Sequence, residues 1–208
     1  ASRGTDSPAG RPLRLGLYGG SFDPVHLGHL LVARAALEEF ALDRLVFIPA
    51  ALSPFKPGTC PAPGPLRARM LRLALADMPE AEVDLQELAR GGTSYSIDTV
   101  REVGARHPGA RLFWLIGADH VPSLPLWREA EELARRVEFL VIPRPGAGVV
   151  PLPEPFRLVH LRGFPLSVSS SQIRERAARG ERLEPLVPAP VAEVIHAEAL
   201  YQAGPVPG

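Results

Sequence analysis

The densest group of reactive side chains in this 208-residue chain is Gly19-Gly20-Ser21-Phe22-Asp23-Pro24-Val25-His26-Leu27-Gly28-His29. His26 and His29 are three residues apart, which puts both on one face if a helix begins here. Imidazoles can donate to phosphate oxygens, and a helix N-terminus adds a positive partial charge. The paired glycines let the backbone approach a ligand closely, and their amides can cradle a phosphate. Gly28 leaves room between the histidines for a phosphate or a ribose. Two other readings fit the same residues. The imidazoles could bind a metal, although no Glu or third His nearby completes a ligand set. Alternatively, one histidine caps the helix and the other packs in the turn.

A second group is Ser169-Ser170-Ser171-Gln172-Ile173-Arg174. Hydroxyls and open amides at a helix start bind phosphate oxygens. Arg174, one turn in, can reach the same oxygens with its fork of donors. Alone, the string reads equally well as an N-cap followed by a solvated arginine. Lys56 stands apart because 22 of the 23 basic residues are Arg and it is the one lysine. A lysine kept against that bias offers a compact, flexible point charge that Arg does not. Cys60 is the one cysteine, which excludes an internal disulfide framework and a thiolate metal cluster. In the Pro-rich stretch 57–65 it reads as a spare thiol rather than a nucleophile.

The charge balance constrains where these groups can act. Lys+Arg and Asp+Glu are both 23, so the net charge is zero. A nucleic-acid or anionic-membrane binder would carry a basic surplus, so neither partner is expected and phosphate binding must be local. No run approaches the roughly 18 apolar residues of a membrane span. Residues 1–12 lack the apolar centre of a signal peptide, and a cytoplasmic protein is expected. The expected organisation is a flexible tail at 1–12, one domain over 13–203 and a C-terminal tail at 204–208. Oligomeric state is left open.

The elements that must position the two groups follow from periodicity. Leu13–Tyr18, Leu45–Ile48, a stretch within Ala81–Leu85, Leu112–Ile116, Val137–Ile142 and Arg157–Leu161 read as short apolar strands. Helical spacing marks His29–Phe40, Leu66–Met78, Ser96–Arg106, Glu129–Arg136, Ser171–Arg179 and Pro190–Tyr201. Strands alternating with helices predict an α/β fold with a parallel sheet covered on both faces. Such sheets bind ligands beyond the strand C-terminal ends, where the strand order reverses. Both residue groups follow strands, as that geometry requires.

Gly-Ser-Phe-Asp-Pro-Val-His-Leu-Gly-His resembles the signature of the His-x-Gly-His nucleotidyltransferase superfamily, whose fold is Rossmann-like. Ser169-Ser170-Ser171-Gln172-Ile173-Arg174 resembles its second signature, Ser-Ser/Thr-x-x-Ile-Arg. Four further segments are similar to the nicotinate mononucleotide adenylyltransferase family within it. Ile48–Lys56 resembles the loop after strand two, with Phe55 where that family usually has His. Ser94-Tyr95-Ser96-Ile97-Asp98-Thr99 resembles its Ser-Tyr-Thr-x-Asp-Thr segment. Ile116-Gly117-Ala118-Asp119 with Trp127 downstream, and Val141-Ile142-Pro143-Arg144, resemble two more. The likeness runs from about Leu13 to Tyr201.

The resemblance implies transfer of AMP from ATP to nicotinate mononucleotide, giving deamido-NAD and pyrophosphate. It implies that His26, His29, Arg174 and Lys56 are catalytic. It implies that Gly19, Gly20, Ser21, Phe22, Gly28, Gly117, Asp119, Arg144, Ser169, Ser170 and Ile173 bind ATP. Ser94, Tyr95, Ser96 and Trp127 would bind the mononucleotide, although core packing also accounts for Trp127. Mg²⁺ would arrive on the ATP phosphates, with no metal held by the protein, and the NAD-type dinucleotide would be product rather than cofactor. Two rivals remain: another adenylyltransferase of the superfamily, with nicotinamide mononucleotide or phosphopantetheine as acceptor, and a non-catalytic nucleotide-sensing module.

Overall fold

The computed structural model describes residues 10–52, 60–143, 153–163 and 168–202. Strands β1 (Arg14–Gly20), β2 (Arg44–Pro49), β3 (Ala81–Val83), β4 (Arg111–Gly117), β5 (Val137–Ile142) and β6 (Leu158–His160) form one sheet. Their order is β3-β2-β1-β4-β5-β6, and every neighbouring pair is parallel. The chain winds outward from β1 in one direction, then returns to its other side with β4. The order therefore reverses between β1 and β4, and the two strands leave a crevice beyond their C-terminal ends. This is a Rossmann-like α/β fold.

The helices are α1 (Leu27–Glu39), α2 (Gly64–Ala74), α3 (Gln86–Arg90), α4 (Ser96–Arg106), α5 (Ala130–Arg136), α6 (Ser170–Ala178) and α7 (Ala189–Ala197), with a 3-10 helix at Ala118–Leu126. Side chains alternate across the pleat, so each central strand feeds two cores. Tyr18, Phe47, Phe113, Leu115 and Leu140 join α1, α2, α6 and α7 on one face. Leu15, Leu17, Val46, Trp114, Ile116 and Phe139 join α4, α5 and the 3-10 helix on the other. Because both faces are buried, the strands read as continuous apolar runs rather than alternating ones.

The expected elements are present, with shifts at their ends. Pro49 pairs with Gly20 as the last residue of β2, and Ala50 rather than Pro49 supplies the next N–H, to the Gly20 carbonyl at 2.9 Å. Helix α2 ends at Ala74, short of the expected Met78, where the chain turns and the Met78 N–H meets the Leu75 carbonyl. Helix α7 ends at Ala197 rather than Tyr201, because Ala199 and Tyr201 take left-handed φ of 47° and 62°. Helix α3 and the 3-10 helix were not expected. The first is five residues long, too short for a period to show, and the second contains Pro122 and Pro125, which end an α-helix. No helix among the described residues is long and apolar enough to cross a membrane.

Candidate active site

The crevice is a cleft of about 1070 Å³. Its floor is the turn from β1 into α1. His26 is the N-cap of α1, at φ −146°, and His29 is its third residue. His29 Nδ1 accepts the His26 backbone N–H at 3.2 Å, and the two rings stack with centroids 3.7 Å apart. A neutral imidazole that accepts at Nδ1 carries its proton on Nε2, which makes the other His29 nitrogen a donor rather than an acceptor. Capping and exposure to the cleft thus occur in the same pair, and both rings line the cleft.

The glycines make room for the protein's own rings. A Cβ on Gly19 would stand 2.9 Å from the Trp114 ring, and one on Gly20 would stand 3.1 Å from that of Phe22. A Cβ on Gly28 would press on His26 Nδ1 at 3.0 Å and on the Val168 carbonyl at 3.4 Å. The space beside Gly28 therefore seats the His26 ring and the approach to α6, where the sequence suggested room for a ligand. Phe22 takes φ 45°, a conformation bulky residues rarely adopt, and its buried ring meets His29 edge-on at 5.0 Å.

Helix α6 points its start at the same place. Ser169 caps it, accepting the Gln172 N–H at 3.3 Å while Gln172 accepts the Ser169 N–H at 2.8 Å. The Ser170 hydroxyl donates to the Pro24 carbonyl at 2.9 Å. Arg174 donates to the Asp23 carbonyl at 2.8 Å and to the Ser171 hydroxyl at 3.1 Å. The second residue group is thereby tied to the first, 146 positions earlier in the chain.

Beneath them lies a cation that sequence reasoning missed. Arg67 is 2% exposed and donates to the carbonyls of Ala62, Ser21 and Ala50 at 2.8, 2.7 and 2.9 Å. It joins the loops that follow β1 and β2. Burial lowers its pKa, while Asp23 and Tyr201 raise it.

The other end of the cleft is built on a buried carboxylate. Glu87, on α3, is 4% exposed and accepts the Thr99 hydroxyl at 2.6 Å. Burial raises its pKa, against hydrogen bonds from Thr99 and Ser94 and the charge of Arg90. Arg90 in turn binds Glu102 and donates to Thr99 at 3.2 Å. Ser94 accepts the Ala51 N–H at 3.0 Å, so one side chain links the loop after β2 to the start of α4. Across from it, half-buried Trp127 donates from Nε1 to the Ser123 hydroxyl at 3.2 Å, with its ring edge-on to Phe139.

Residues 17–176 match the family described as cytidylyltransferase-like. A protein of Opitutus terrae named probable nicotinate-nucleotide adenylyltransferase is 41% identical over 193 residues, 91% of this chain and 98% of its own. One of the same name from Exiguobacterium sibiricum is 40% identical over 189 residues, 91% of this chain and 99% of its own. The chain belongs to the nicotinate-nucleotide adenylyltransferase family. Its fold is shared by the Plasmodium falciparum nicotinic acid mononucleotide adenylyltransferase complexed with NaAD, with TM-score 0.72 at 17% identity over 90% of this chain and 97% of that one.

In this adenylyltransferase cleft the structure brings together Gly19, Gly20, Ser21, Phe22, His26, Gly28, His29, Ser94, Ser96, Gly117, Asp119, Trp127, Ser169, Ser170 and Arg174. Ile173 does not face it. That side chain is fully buried in the core, so only its backbone can serve a ligand. Tyr95 also stands outside the lining, with its ring beneath the Arg128 guanidinium at 4.7 Å. Lys56 and Arg144 lie outside the described residues. Asp23, Cys60, Glu87, His120 and Tyr201 line the cleft and were not singled out as site residues. The signal for His120 was its place directly after Asp119 and β4. Glu87 lies outside every recognised segment and gave none.

Proposed function

We propose that the chain transfers the adenylyl group of ATP to nicotinate mononucleotide, releasing pyrophosphate and forming deamido-NAD. The observation that carries this reading is the junction of His26, His29, Ser170 and Arg174 in one cleft, beyond the strands where the sheet order reverses. Whole-length identity near 40% to proteins named for this activity supports it.

A phosphate oxygen of the mononucleotide attacks the α-phosphorus of ATP in line. The bond from the α-phosphorus to the bridging oxygen breaks, and that oxygen leaves on pyrophosphate. No bond to the protein forms. Catalysis is then positioning and charge stabilisation. His26 and His29 donate to the α-phosphate as its charge builds. Ser169, Ser170, Arg174 and the start of α6 hold the β- and γ-phosphates, and the resemblance assigns Lys56, outside the described residues, to the same group. Gly117 and Asp119 face the adenosine, where the resemblance also assigns Arg144 from outside the described residues, while Ser94, Ser96 and Trp127 hold the pyridine mononucleotide. Tyr95 supports that segment.

Mg²⁺ enters as part of the substrate, on the ATP phosphates. Among the described residues no three His, Cys, Asp or Glu side chains cluster as a metal site, and the donors facing the phosphates are imidazoles, hydroxyls and a guanidinium, which suit oxyanions. One domain, 13–203, carries the reaction in the cytoplasm. The test is pyrophosphate release from ATP and Mg²⁺ with each acceptor in turn. Nicotinate mononucleotide is expected to support release. Release with phosphopantetheine alone, or with no acceptor, refutes the reading.

A further inference from the structure

The Asp23 carboxylate is a junction in the loop that leads to the histidines. It is 8% exposed. Its Oδ1 accepts the Tyr201 hydroxyl at 2.7 Å and the Ala62 N–H at 3.0 Å. With that oxygen taken twice, Oδ2 is left facing Arg174, whose Nη1 lies 4.0 Å away and donates to the Asp23 carbonyl. Tyr201 reaches this point from beyond α7, 178 residues later in the chain. It is held at φ 62°, a backbone conformation that costs free energy for a side chain of this size. Burial and the Asp23 carboxylate push its hydroxyl far above the ordinary tyrosine range, so it remains a donor throughout neutral pH.

We propose that Tyr201 is a positioning residue for the nucleotide site: through Asp23 it fixes the direction of the Arg174 guanidinium toward the triphosphate. The two donors on Oδ1 stop the carboxylate from rotating, so Arg174 meets the Asp23 carbonyl as a hydrogen-bond acceptor and Oδ2, 4.0 Å away, as a fixed counter-charge. Without the Tyr201 hydroxyl only the Ala62 N–H restrains the carboxylate, and Arg174 keeps its bond to the Asp23 carbonyl but loses the fixed counter-charge beside it. The inference rests on the assignment of Arg174 to the ATP phosphates made above, but not on the identity of the acceptor.

ATP binding, measured by equilibrium dialysis without any acceptor, tests it through a double-mutant cycle. Tyr201→Phe keeps the ring and removes the hydroxyl, and is expected to weaken ATP binding about tenfold. In an Arg174→Lys background the same change is expected to cost less than about twofold, because the group it acts through is gone. An equal loss in both backgrounds, as a general loosening of the fold would give, overturns the proposal. So does an unchanged affinity in the single variant. Should Tyr201→Phe not fold, Asp23→Asn carries the same cycle, since it keeps an acceptor for Tyr201 and Ala62 but removes the charge facing Arg174. A wild-type protein that binds ATP yet releases no pyrophosphate with nicotinate mononucleotide refutes the acceptor and leaves the cycle readable. One that binds no ATP overturns both.

Discussion

The two ends of the cleft, which we assign to the phosphates and to the pyridine mononucleotide, are held by different means. At the phosphate end, loops from distant parts of the chain meet through backbone carbonyls: Arg67 bonds three of them, Ser170 a fourth and Arg174 a fifth. At the pyridine end, side chains do the holding. Glu87 carries Thr99 and Ser94, and Ser94 carries the loop after β2. Carbonyl positions follow from the path of the chain, so the first end is tied to the backbone itself. Hydroxyls on a carboxylate can be exchanged with less disturbance. On that assignment, the contrast suits one end that holds reacting atoms and another that distinguishes acceptors.

Substitutions at the phosphate end should therefore cost more than those at the pyridine end, and should affect different constants. His29→Ala is expected to lower kcat by about a thousandfold, with KM for ATP changing far less. Steady-state kinetics check this, and an unchanged kcat removes His29 from the mechanism. Next, Arg67→Met leaves the carbonyls of Ala62, Ser21 and Ala50 without their shared donor and should cost about 3 kcal/mol of stability. Urea unfolding measures it, and a loss below about 1 kcal/mol would mean that the loops do not depend on this cation.

Glu87→Gln should raise KM for the mononucleotide about fivefold and leave KM for ATP unchanged. A parallel rise in both would erase the distinction between the ends. The same residue has a pH signature. Its pKa is raised above the ordinary 4.5 on folding, so the folded state holds this proton where the unfolded chain has released it. Its contribution to stability is complete below pH 4.5 and declines as pH rises through the folded value. Thermal melting from pH 4 upward should show that decline in the wild type and not in Glu87→Gln. The smallest effect is expected at Trp127, where Phe keeps a stacking face but loses the bond to Ser123. A rise of about twofold to threefold in the mononucleotide KM is expected.

Much of this was legible in the sequence because its signals are local. The parallel sheet followed from apolar runs alternating with helical periods, and its Rossmann-like character from the family resemblance. His26, Gly28 and His29 sit within a few residues of one another, so their shared face needed only a helix start. Arg67 and Glu87 were not legible, because a buried charge acquires meaning only from partners at positions such as Ser21, Ala50 and Thr99, and no spacing rule connects them. Tyr201 was hidden for a similar reason. The sequence placed it only at the end of a helical period, whereas the left-handed turn after α7 brings its hydroxyl to Asp23. Gly19, Gly20 and Gly28 were found for incomplete reasons, since the sequence suggests space for a ligand and cannot show Trp114, Phe22 or the His26 ring occupying it.

The central claim is that these residues position ATP and stabilise charge without bonding to the adenylyl group. Two imidazoles and the exposed thiol of Cys60 line the same cleft, and either chemistry would make a plausible nucleophile. The stereochemistry of transfer separates the two routes. With ATP bearing one sulfur in place of an α-phosphate oxygen, a single in-line displacement inverts the configuration at phosphorus in the dinucleotide product. Inversion is the predicted result. Retention would require two displacements through a protein-bound adenylyl group and would contradict the account.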